Sequence, residues 1–322
     1  MNSKKVLLFI SSIISINFVA KAEDLDKFYQ CENYQAIAIE KLSTGHDVIA
    51  ATLNGVNAKF VVDTGAKMSV INKHLLSKYS IDRSSMLSKE KGAGAAGDVV
   101  AELYPLDSLY FKENKIQIPT IASTELSQII NGLGYSTGVW VDGILGQDVL
   151  LKHAGIIDGS NNQLLIKVNS KGKRNCEVKL ENLLMNKGYH AVELKLLSTD
   201  LAMLNLSINN KQGEFILDSG AGDGIINKNS MAKFDLSNEV IDTRESSGAG
   251  GVFTLQTLRI NSFKIDSIAY DIESINALDL SAVVNEVKEI SQVDVHGVVG
   301  QDLLQKYSSV ISFYDNTLYL KP

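Results

Sequence analysis

A seven-residue stretch occurs twice in this chain and limits its possible folds more than any other feature. Residues 60–66 read Phe-Val-Val-Asp-Thr-Gly-Ala, and residues 215–221 read Phe-Ile-Leu-Asp-Ser-Gly-Ala. Each apolar run is typical of a buried strand, and the glycine that follows permits a sharp turn and close approach by another group. Each copy therefore predicts one carboxylate, Asp63 or Asp218, on a tight loop at the end of a buried strand.

Other segments return at almost the same spacing, about 155 residues. Ile71-Asn72-Lys73 returns as Ile226-Asn227-Lys228, and Gly146-Gln147-Asp148 returns as Gly300-Gln301-Asp302. Two copies are too few for a solenoid, in which each repeat contacts only its neighbours. The spacing therefore predicts two copies of one domain.

Short apolar runs alternate with turn residues inside each copy. Val48 to Leu53 has strand character, and the following Asn54-Gly55 is a hairpin signal. Strand-rich copies with glycine-rich turns predict an all-β fold with two homologous, barrel-like lobes. Residues 169–188 are polar and charged, which is typical of a linker. We therefore divide the chain into a signal peptide (1–22), an N-terminal lobe (23–168), a linker (169–188) and a C-terminal lobe (189–322).

The first 22 residues have the pattern of a secretory signal peptide. Lys4 and Lys5 precede an apolar run over residues 6–19, and Ala20-Lys21-Ala22 forms an A-x-A cleavage site. An uncleaved membrane anchor is the alternative, although anchors usually have a longer apolar span. The pattern predicts a chain that is exported to the periplasm or secreted and keeps no membrane span after cleavage.

The chain has two cysteines, Cys31 and Cys176. An even count in an exported protein permits one disulfide, which would connect the mature N-terminus to the middle of the chain. Two unrelated free thiols are the alternative. The 31 basic residues are fewer than the 37 acidic ones, so the composition does not indicate a nucleic-acid partner.

The two Asp-(Thr/Ser)-Gly-Ala stretches resemble the active-site loops of aspartic proteases. The alanine in fourth place is similar to the retropepsin-like branch, and two copies in one chain resemble the bilobal arrangement of pepsin. The resemblance implies an acid-protease fold with a cleft between the lobes. It also implies that Asp63 and Asp218 are catalytic, that the hydroxyls of Thr64 and Ser219 bond across to the opposite loop, and that the backbone of Gly65 and Gly220 faces the carboxylates.

Two facing carboxylates suit the hydrolysis of amides. Like charges at such short range cannot both ionise easily, so the pair shares one proton. A half-protonated pair can accept a proton from water and donate one to a carbonyl oxygen, which requires neither a metal nor a covalent intermediate.

A glycine-rich segment lies at matching places in the two copies. Residues 92–97 fit the dinucleotide pattern G-x-G-x-x-G, but polar residues precede them and strand-like Val99-Val100 follow, whereas a nucleotide site needs a strand and then a helix. Hairpin tips that cover a cleft, similar to retropepsin flaps, are the better interpretation. No tyrosine lies between Ser88 and Val100, unlike the pepsin flap. The proposed flap residues are Gly92, Gly94, Gly97, Gly248, Gly250 and Gly251.

The repeated segments at residues 144–148 and 298–302, and the aromatic residues before the first of them, are interpreted as structural. Ile144-Leu145-Gly146 and Val298-Val299-Gly300 resemble the strands that support the aspartate loops of the family. Asp148 and Asp302 precede apolar helix starts and are interpreted as helix caps. Tyr135 and Trp140 are expected in the core or the cleft wall.

These observations predict an exported, monomeric aspartic endopeptidase without a cofactor or metal, which binds a peptide or protein segment in an extended conformation between its lobes. The alternative from another class is a peptide-binding protein on the same scaffold without turnover, since fold does not determine function. A nucleotide-dependent oxidoreductase would require a βαβ unit that the pattern does not contain.

Overall fold

The computed structural model describes residues 20–168, 176, 179–237 and 239–322. The predicted signal peptide lies outside the described residues up to position 19, as does most of the first half of the predicted linker. Across the described ranges, every helix is too short or too polar to span a membrane.

The described part of the N-terminal half contains three α-helices and twelve strands. In chain order these elements are α1 (Ala20–Cys31), β1 (Tyr34–Lys41), β2 (Asp47–Leu53), β3 (Val56–Val62), β4 (Val70–Asn72), β5 (Ser88–Gly94), β6 (Gly97–Pro105), β7 (Leu109–Phe111), β8 (Asn114–Ile116), β9 (Thr120–Thr124), α2 (Ser127–Thr137), β10 (Gly143–Leu145), α3 (Gln147–Leu150), β11 (Ile156–Asp158) and β12 (Gln163–Lys167). Short 3₁₀ turns, Lys73–Leu75 and Ser77–Tyr79, follow β4, and the Asn72 side chain accepts a hydrogen bond from the amide of His74.

The C-terminal half repeats this order. Its elements are α4 (Leu180–Asn186), β13 (His190–Glu193), β14 (Lys195–Leu196), β15 (Ala202–Ile208), β16 (Lys211–Leu217), β17 (Ile225–Asn227), β18 (Val240–Gly248), β19 (Gly251–Arg259), β20 (Phe263–Ile265), β21 (Ile268–Tyr270), β22 (Ser274–Leu278), α5 (Ser281–Ser291), β23 (Val295–Val299), α6 (Gln301–Lys306), β24 (Val310–Ser312) and β25 (Thr317–Leu320). The predicted all-β fold with two homologous lobes is confirmed.

Each lobe is built around the strand that ends in the repeated aspartate. In the N-terminal lobe, β3 pairs antiparallel with β2 and parallel with β10, which in turn pairs with β4. In the C-terminal lobe, β16 has the same relations to β15, β23 and β17. Both central strands lie between two neighbours, and their apolar side chains are buried; Phe60, Val62, Phe215 and Leu217 are at most 1% exposed. Burial on both faces explains the continuous apolar runs seen in the sequence.

A third sheet connects the lobes. Its strand order is β13-β25-β24-β11-β12-β1, so three strands from the C-terminal half lie beside three from the N-terminal half. The two halves meet where β11 pairs antiparallel with β24, with Ile157 opposite Ile311. The lobes are therefore joined by backbone hydrogen bonds as well as by the chain between them.

Two helices cover the connecting sheet. Helix α1 contacts α4, and Phe28, Leu180, Leu184 and Tyr319 are buried in one cluster beneath them. Helix α4 lies inside the region predicted as a linker. Leu180, Leu183 and Leu184 form an apolar face that is buried against the sheet, and the charged residues around them masked that face in the sequence.

A disulfide joins the end of α1 to the segment before α4. Cys31 and Cys176 are bonded, and their Cα atoms are 6.0 Å apart. The bond connects the beginning of the first copy to the segment that leads into the second, as the pairing inferred from the sequence would require.

Candidate active site

The two repeated aspartates lie on matching loops. The amide of Asp63 donates to the carbonyl of Leu145, 3.0 Å away, and the amide of Asp218 donates to Val299 over the same distance. Each aspartate thus continues the parallel pairing of its strand with the supporting strand, β10 or β23. The predicted support of the aspartate loops by residues 144–146 and 298–300 is confirmed.

Each carboxylate is held by its own loop. Oδ1 of Asp63 accepts hydrogen bonds from the amides of Gly65 and Ala66, at 2.7 and 3.1 Å. In the second lobe, Oδ1 of Asp218 accepts from Gly220 and Ala221, at 2.9 and 3.1 Å. These bonds fix one oxygen of each carboxyl group and leave the other to face the opposite lobe.

The two loops are locked together by a closed set of hydrogen bonds. The hydroxyl of Thr64 donates to the carbonyl of Leu217 and accepts from the amide of Ser219, at 2.7 and 2.9 Å. The Ser219 hydroxyl donates to Val62 and accepts from the amide of Thr64, at 2.9 and 3.0 Å. Both side chains are buried, so these bonds are made away from water and fix the distance between the loops.

The carboxyl groups of Asp63 and Asp218 meet at the centre of this arrangement and are hydrogen-bonded to each other. A Cβ atom on Gly65 would lie 2.5 Å from Cγ of Asp218, and one on Gly220 would overlap the carboxyl group of Asp63. Each glycine is therefore required because the opposite carboxyl group packs directly on its Cα. The structure brings together all six predicted loop residues.

The two carboxyl groups are not equivalent. Burial raises the pKa of Asp63 well above its usual value, and the charge of Asp218 and the shared hydrogen bond raise it further. Burial also raises the pKa of Asp218, but its hydrogen bond with Asp63, the amides of Gly220 and Ala221, and nearby His46 oppose the increase. Both groups therefore have a raised pKa, and the pair holds a shared proton between its two carboxyls.

Two glutamines support the loops from behind, and the sequence interpretation did not single them out. Gln147 donates through Nε2 to the carbonyl of Thr64 at 2.9 Å, and Gln301 donates to the carbonyl of Ser219 at 3.0 Å. Both side chains are buried. The repeated Gly-Gln-Asp triplet was the available signal, because a buried glutamine at the same place in two copies needs a partner in each.

Neither Asp148 nor Asp302 stands at the helix N-cap position, although Asp302 accepts a hydrogen bond from the amide of Leu303 in the first turn of α6. Gly146 and Gly300 occupy the N-cap positions of α3 and α6. Asp148 instead accepts from the amide and hydroxyl of Ser69, and Asp302 accepts from the amide of Gly224. Both carboxylates satisfy backbone donors just beyond the aspartate loops, where the chain turns back into a strand.

The predicted glycine-rich flaps are two β-hairpins. Strands β5 and β6 form the first, with its turn between Gly94 and Gly97, and β18 and β19 form the second, with its turn between Gly248 and Gly251. A strand follows each turn, so residues 92–97 do not have the strand–helix context of a dinucleotide site.

The two flap tips contact each other. The amide of Ala96 donates to the carbonyl of Ala249 at 2.9 Å. Gly250 has φ of +100°, and a Cβ on it would lie 3.0 Å from the backbone of Ala96 and Gly97. The tips meet through backbone atoms, and glycine permits both the turn and the close approach.

Each flap also contacts a helix of the opposite lobe. Helix α5 packs against β5, and Ala95 of the first tip lies in an apolar cluster with Val283 and Val284. Helix α2 packs against β18, and Gly132 and Ser247 are neighbours at this contact. Both flaps are therefore closed in this conformation, with contacts at their tips and along their sides.

A cavity of about 880 Å³ lies beside the closed flaps. It is bounded by the second strand of the first flap, residues 123–129 and the tip of the second flap. Lys73, Arg83, Asp98 and Glu125 give its wall both positive and negative charges. The cavity offers space next to the flaps for polar groups of either charge.

Tyr135 and Trp140 do not lie in the core. Their exposed fractions are 81% and 51%, and their rings contact each other edge to face with centroids 5.3 Å apart. The Trp140 ring covers Gly134 of helix α2. The prediction of a core position fails because the pair covers the outer surface of this helix.

Among the residues with described positions, no three or more His, Cys, Asp or Glu side chains are grouped so that they could hold a metal ion. The titratable groups that the structure does place together here are the two partly buried carboxyls of Asp63 and Asp218.

Comparison with known proteins places the repeat in a family context. A family model described as aspartyl protease matches residues 49–149 and again residues 204–303. An aspartic proteinase from Irpex lacteus is similar with 13% identity and a TM-score of 0.48, over 89% of this chain and 97% of that one. A retropepsin-like aspartic protease from Rickettsia conorii is similar with 23% identity and a TM-score of 0.31, over 41% of this chain and 98% of that one. The search of curated proteins found no match.

Proposed function

Because the chain belongs to the aspartyl protease family, whose model matches both of its copies, we propose that it is an aspartic endopeptidase with one active site shared by its two lobes. The observation that carries this proposal is the pair formed by Asp63 and Asp218. Each lobe contributes one carboxyl, the buried hydrogen bonds of Thr64 and Ser219 hold the loops together, and the pair shares one proton.

The proposed reaction uses the different protonation of the two groups. A water molecule between the carboxyls loses a proton to ionised Asp218 and attacks the peptide carbonyl carbon, while Asp63 donates its proton to the carbonyl oxygen. The resulting tetrahedral diol collapses when Asp218 donates its proton to the amide nitrogen and Asp63 recovers one from a diol hydroxyl. The C–N bond breaks, and the pair returns to its starting state with one proton.

The flaps support an extended peptide as the substrate. Their tips are hairpins with small side chains, so their backbone donors and acceptors are accessible to a strand-like segment that binds by main-chain hydrogen bonds. Since the tips are hydrogen-bonded to each other, we expect a peptide to enter between the flaps only after the tips separate. The cavity beside them supports side-chain recognition with a mixed charge preference.

Incubation of the purified protein with a peptide library over a series of pH values tests the proposal. We expect internal cleavage that Asp63→Asn and Asp218→Asn each reduce by at least about 100-fold, as loss of a general acid or base would. Glu113→Gln, on the exposed turn between β7 and β8, is the matched control and should cleave normally. Peptides that bind without being cut by the unmodified protein would favour the peptide-binding alternative.

We also propose that the protein works outside the cytosol. The signal-peptide pattern of residues 1–22 and the bond between Cys31 and Cys176 support this location, because stable disulfides form in oxidising compartments. Fractionation of cells, followed by determination of the N-terminus of the exported chain, tests the location and the expected cleavage before Glu23.

A further inference from the structure

The two copies differ immediately beside the active-site loop of the second lobe. Residues 42–47 read Leu-Ser-Thr-Gly-His-Asp, whereas the matching residues 197–202 read Leu-Ser-Thr-Asp-Leu-Ala. His46 and Asp47 thus occur where the second copy has Leu201 and Ala202. The change replaces two titratable side chains by two apolar ones in an otherwise similar turn.

The first of these turns crosses to the opposite lobe. The Gly45 carbonyl accepts a hydrogen bond of 2.6 Å from Gln305. His46 lies against the second aspartate loop, with Cε1 3.9 Å from the position of a Cβ on Gly222, and the Gly220 backbone and the Asp218 carboxylate both act to raise its pKa. Nδ1 is 3.0 Å from the hydroxyl of Thr44. The imidazole is thereby held against the loop that carries Asp218.

Asp47 strengthens the same contact. Its side chain is buried, forms an ion pair of 2.9 Å with Lys41, and lies 3.4 Å from Nε2 of Gln301. Gln301 in turn donates to the carbonyl of Ser219, so a polar chain leads from Asp47 to the second loop.

The matching position in the second copy has no such connection. Leu201 is packed in an apolar cluster of its own lobe. The hydroxyl of Thr199, the counterpart of Thr44, is buried without a hydrogen-bond partner among the described residues. The second copy thus keeps the threonine hydroxyl that contacts the imidazole in the first copy, but it has Leu201 in place of the histidine.

We propose that His46 is a positioning residue for the catalytic pair, which favours the negative charge on Asp218 and so keeps the proton on Asp63. The two aspartates then have fixed and different roles even though the repeat makes their loops alike. This inference rests on the proposed peptidase function for its effect on turnover, but the inequivalence of the carboxyls is a property of the folded protein itself.

The charges around His46 determine where this effect is strongest. Burial lowers the pKa of His46, while the Gly220 carbonyl and the carboxylates of Asp218, Asp47 and Asp223 oppose that decrease. Of the three carboxylates near His46, Asp47 is paired with Lys41, and Asp223 is paired with Arg244. The third carboxylate, Asp218, belongs to the proposed catalytic pair. The imidazole becomes a cation in acid, and there it resists protonation of Asp218.

The acid limb of the pH profile is the measurement that tests this role. A cation beside a carboxylate lowers its pKa, so removal of the cation moves the acid limb of kcat/KM to higher pH. His46→Gln keeps hydrogen-bonding groups near Thr44 and Gly220 but never becomes charged. We expect the acid midpoint to rise by about half a pH unit or more, while the midpoint of the alkaline limb, where His46 is neutral, stays in place.

His153→Gln is the matched control. His153 also has a pKa lowered by burial, but it contacts the carbonyl of Lys167 and not an active-site loop. Both limbs should be unchanged in this variant. An acid limb of His46→Gln that coincides with the wild type would overturn the proposal, and so would a uniform loss of kcat/KM at all pH values, which indicates a merely structural role.

A titration by NMR separates this inference from the proposed function. With ¹³C-labelled aspartate, the carboxyl signals of the pair report its macroscopic midpoints without any substrate. A higher first midpoint in His46→Gln supports the inference even if no peptide is cleaved, and an unchanged midpoint overturns it even if the wild type is active. His46→Asn provides the same uncharged comparison if the glutamine variant does not fold.

Discussion

At the level of single residues, the sequence revealed two equivalent aspartate loops but did not show how their carboxyl groups differ in pKa. Asp63 and Asp218 accept equivalent hydrogen bonds from the backbone of their own loops. The neighbouring residues Thr64 and Ser219 also make equivalent bonds, because each hydroxyl accepts from the amide of the other residue. One difference comes from elsewhere in the chain, because His46 lowers the pKa of Asp218 and does not act on Asp63 in the same way. Burial and the partner carboxyl remain the main influences on the pKa of each aspartate.

The burial of Asp63 has a consequence for stability. Its pKa is raised in the folded protein, so the protonated form favours folding, and this contribution is lost as the pH rises from the unfolded value through the folded one. Asp63→Asn keeps an oxygen for the amides of Gly65 and Ala66 and has no charge. We expect this inactive variant to be more stable than the wild type at neutral pH and to lose that advantage near pH 3.5.

Urea unfolding at the two pH values measures the difference. Asp98→Asn, in the exposed first flap, is a control that should show no comparable gain at neutral pH. Equal stability of Asp63→Asn and the wild type at neutral pH would mean that the ionised pair causes no destabilisation, contrary to the raised pKa.

The sequence identified residues whose chemistry is local and missed those whose partners are distant. The order Asp, hydroxyl residue, Gly, Ala is sufficient to predict a loop, and the glycines of the flaps are sufficient to predict a turn. Gln147 and His46 carry no such local pattern, because each acquires its role from a contact with a residue far along the chain. Asp148 was assigned to a local cap for the same reason, although its partner Ser69 is remote in sequence.

Secondary-structure elements were also predicted correctly where local residues determine them and were missed where tertiary packing determines them. Hairpins were predicted because turn residues separate alternating runs, and β2, β3, β5 and β6 have the expected places. Helix α2 was missed because Gly132 and Gly134 lower its helical propensity. Its apolar residues Ile130 and Leu133 are buried against the first lobe, so tertiary packing stabilises a helix that the local sequence does not favour.

The flaps provide a test at the scale of elements. A Cβ on Gly94 would meet the backbone of Ala249 in the opposite tip, whereas one on Gly92, in the same strand, would meet no atom within 4 Å. Gly94→Ala should therefore separate the tips and lower kcat/KM by about 10-fold or more, since small misplacements of a closing element are costly. Gly92→Ala should have a much smaller effect.

Steady-state kinetics on one peptide compare the two substitutions, with thermal unfolding as a check that both proteins fold. Equal losses in the two variants would show that glycine content of the strand, and not contact between the tips, accounts for the effect.

The whole molecule is held together by the connecting sheet and by one covalent bond. In the sheet, β11 of the first half pairs with β24 of the second, and these strands occupy matching places in the two copies. The disulfide links residues 145 positions apart and holds α1 near α4. The lobes are consequently parts of one cooperative structure.

Removal of the disulfide should weaken the whole fold. The loop that it closes includes most of the first lobe, so replacement of Cys31 and Cys176 by serine should lower the free energy of unfolding by about 2–5 kcal/mol. Cleavage at 25 °C should persist because the bond is made beside the connecting sheet and not at the aspartate loops. Chemical denaturation measures the change, and non-reducing mass spectrometry verifies the bond in the parent protein. Parent protein with two alkylatable thiols would contradict the pairing.

An isolated lobe should behave differently from the intact chain. Residues 23–168 alone would hold one catalytic aspartate and would expose the edge of β11 that otherwise pairs with β24. Because the partner strand is a copy of β11, we expect two isolated lobes to associate about a two-fold axis at high concentration. Specific activity should be negligible when dilute and should rise with concentration. Substantial activity that is independent of concentration would mean that one aspartate is sufficient.

Because β24 and β25 lie inside the connecting sheet, this sheet can form completely only at the end of synthesis. Residues 310–320 are inserted between β11 and β13, which are made much earlier, and Asp218 depends on β23 just before them. A nascent chain that has released only its first copy therefore has an open sheet and an unpaired Asp63. We expect it to be unable to cut the proteins around it, so the order of translation would itself delay proteolysis until the second copy has emerged and folded.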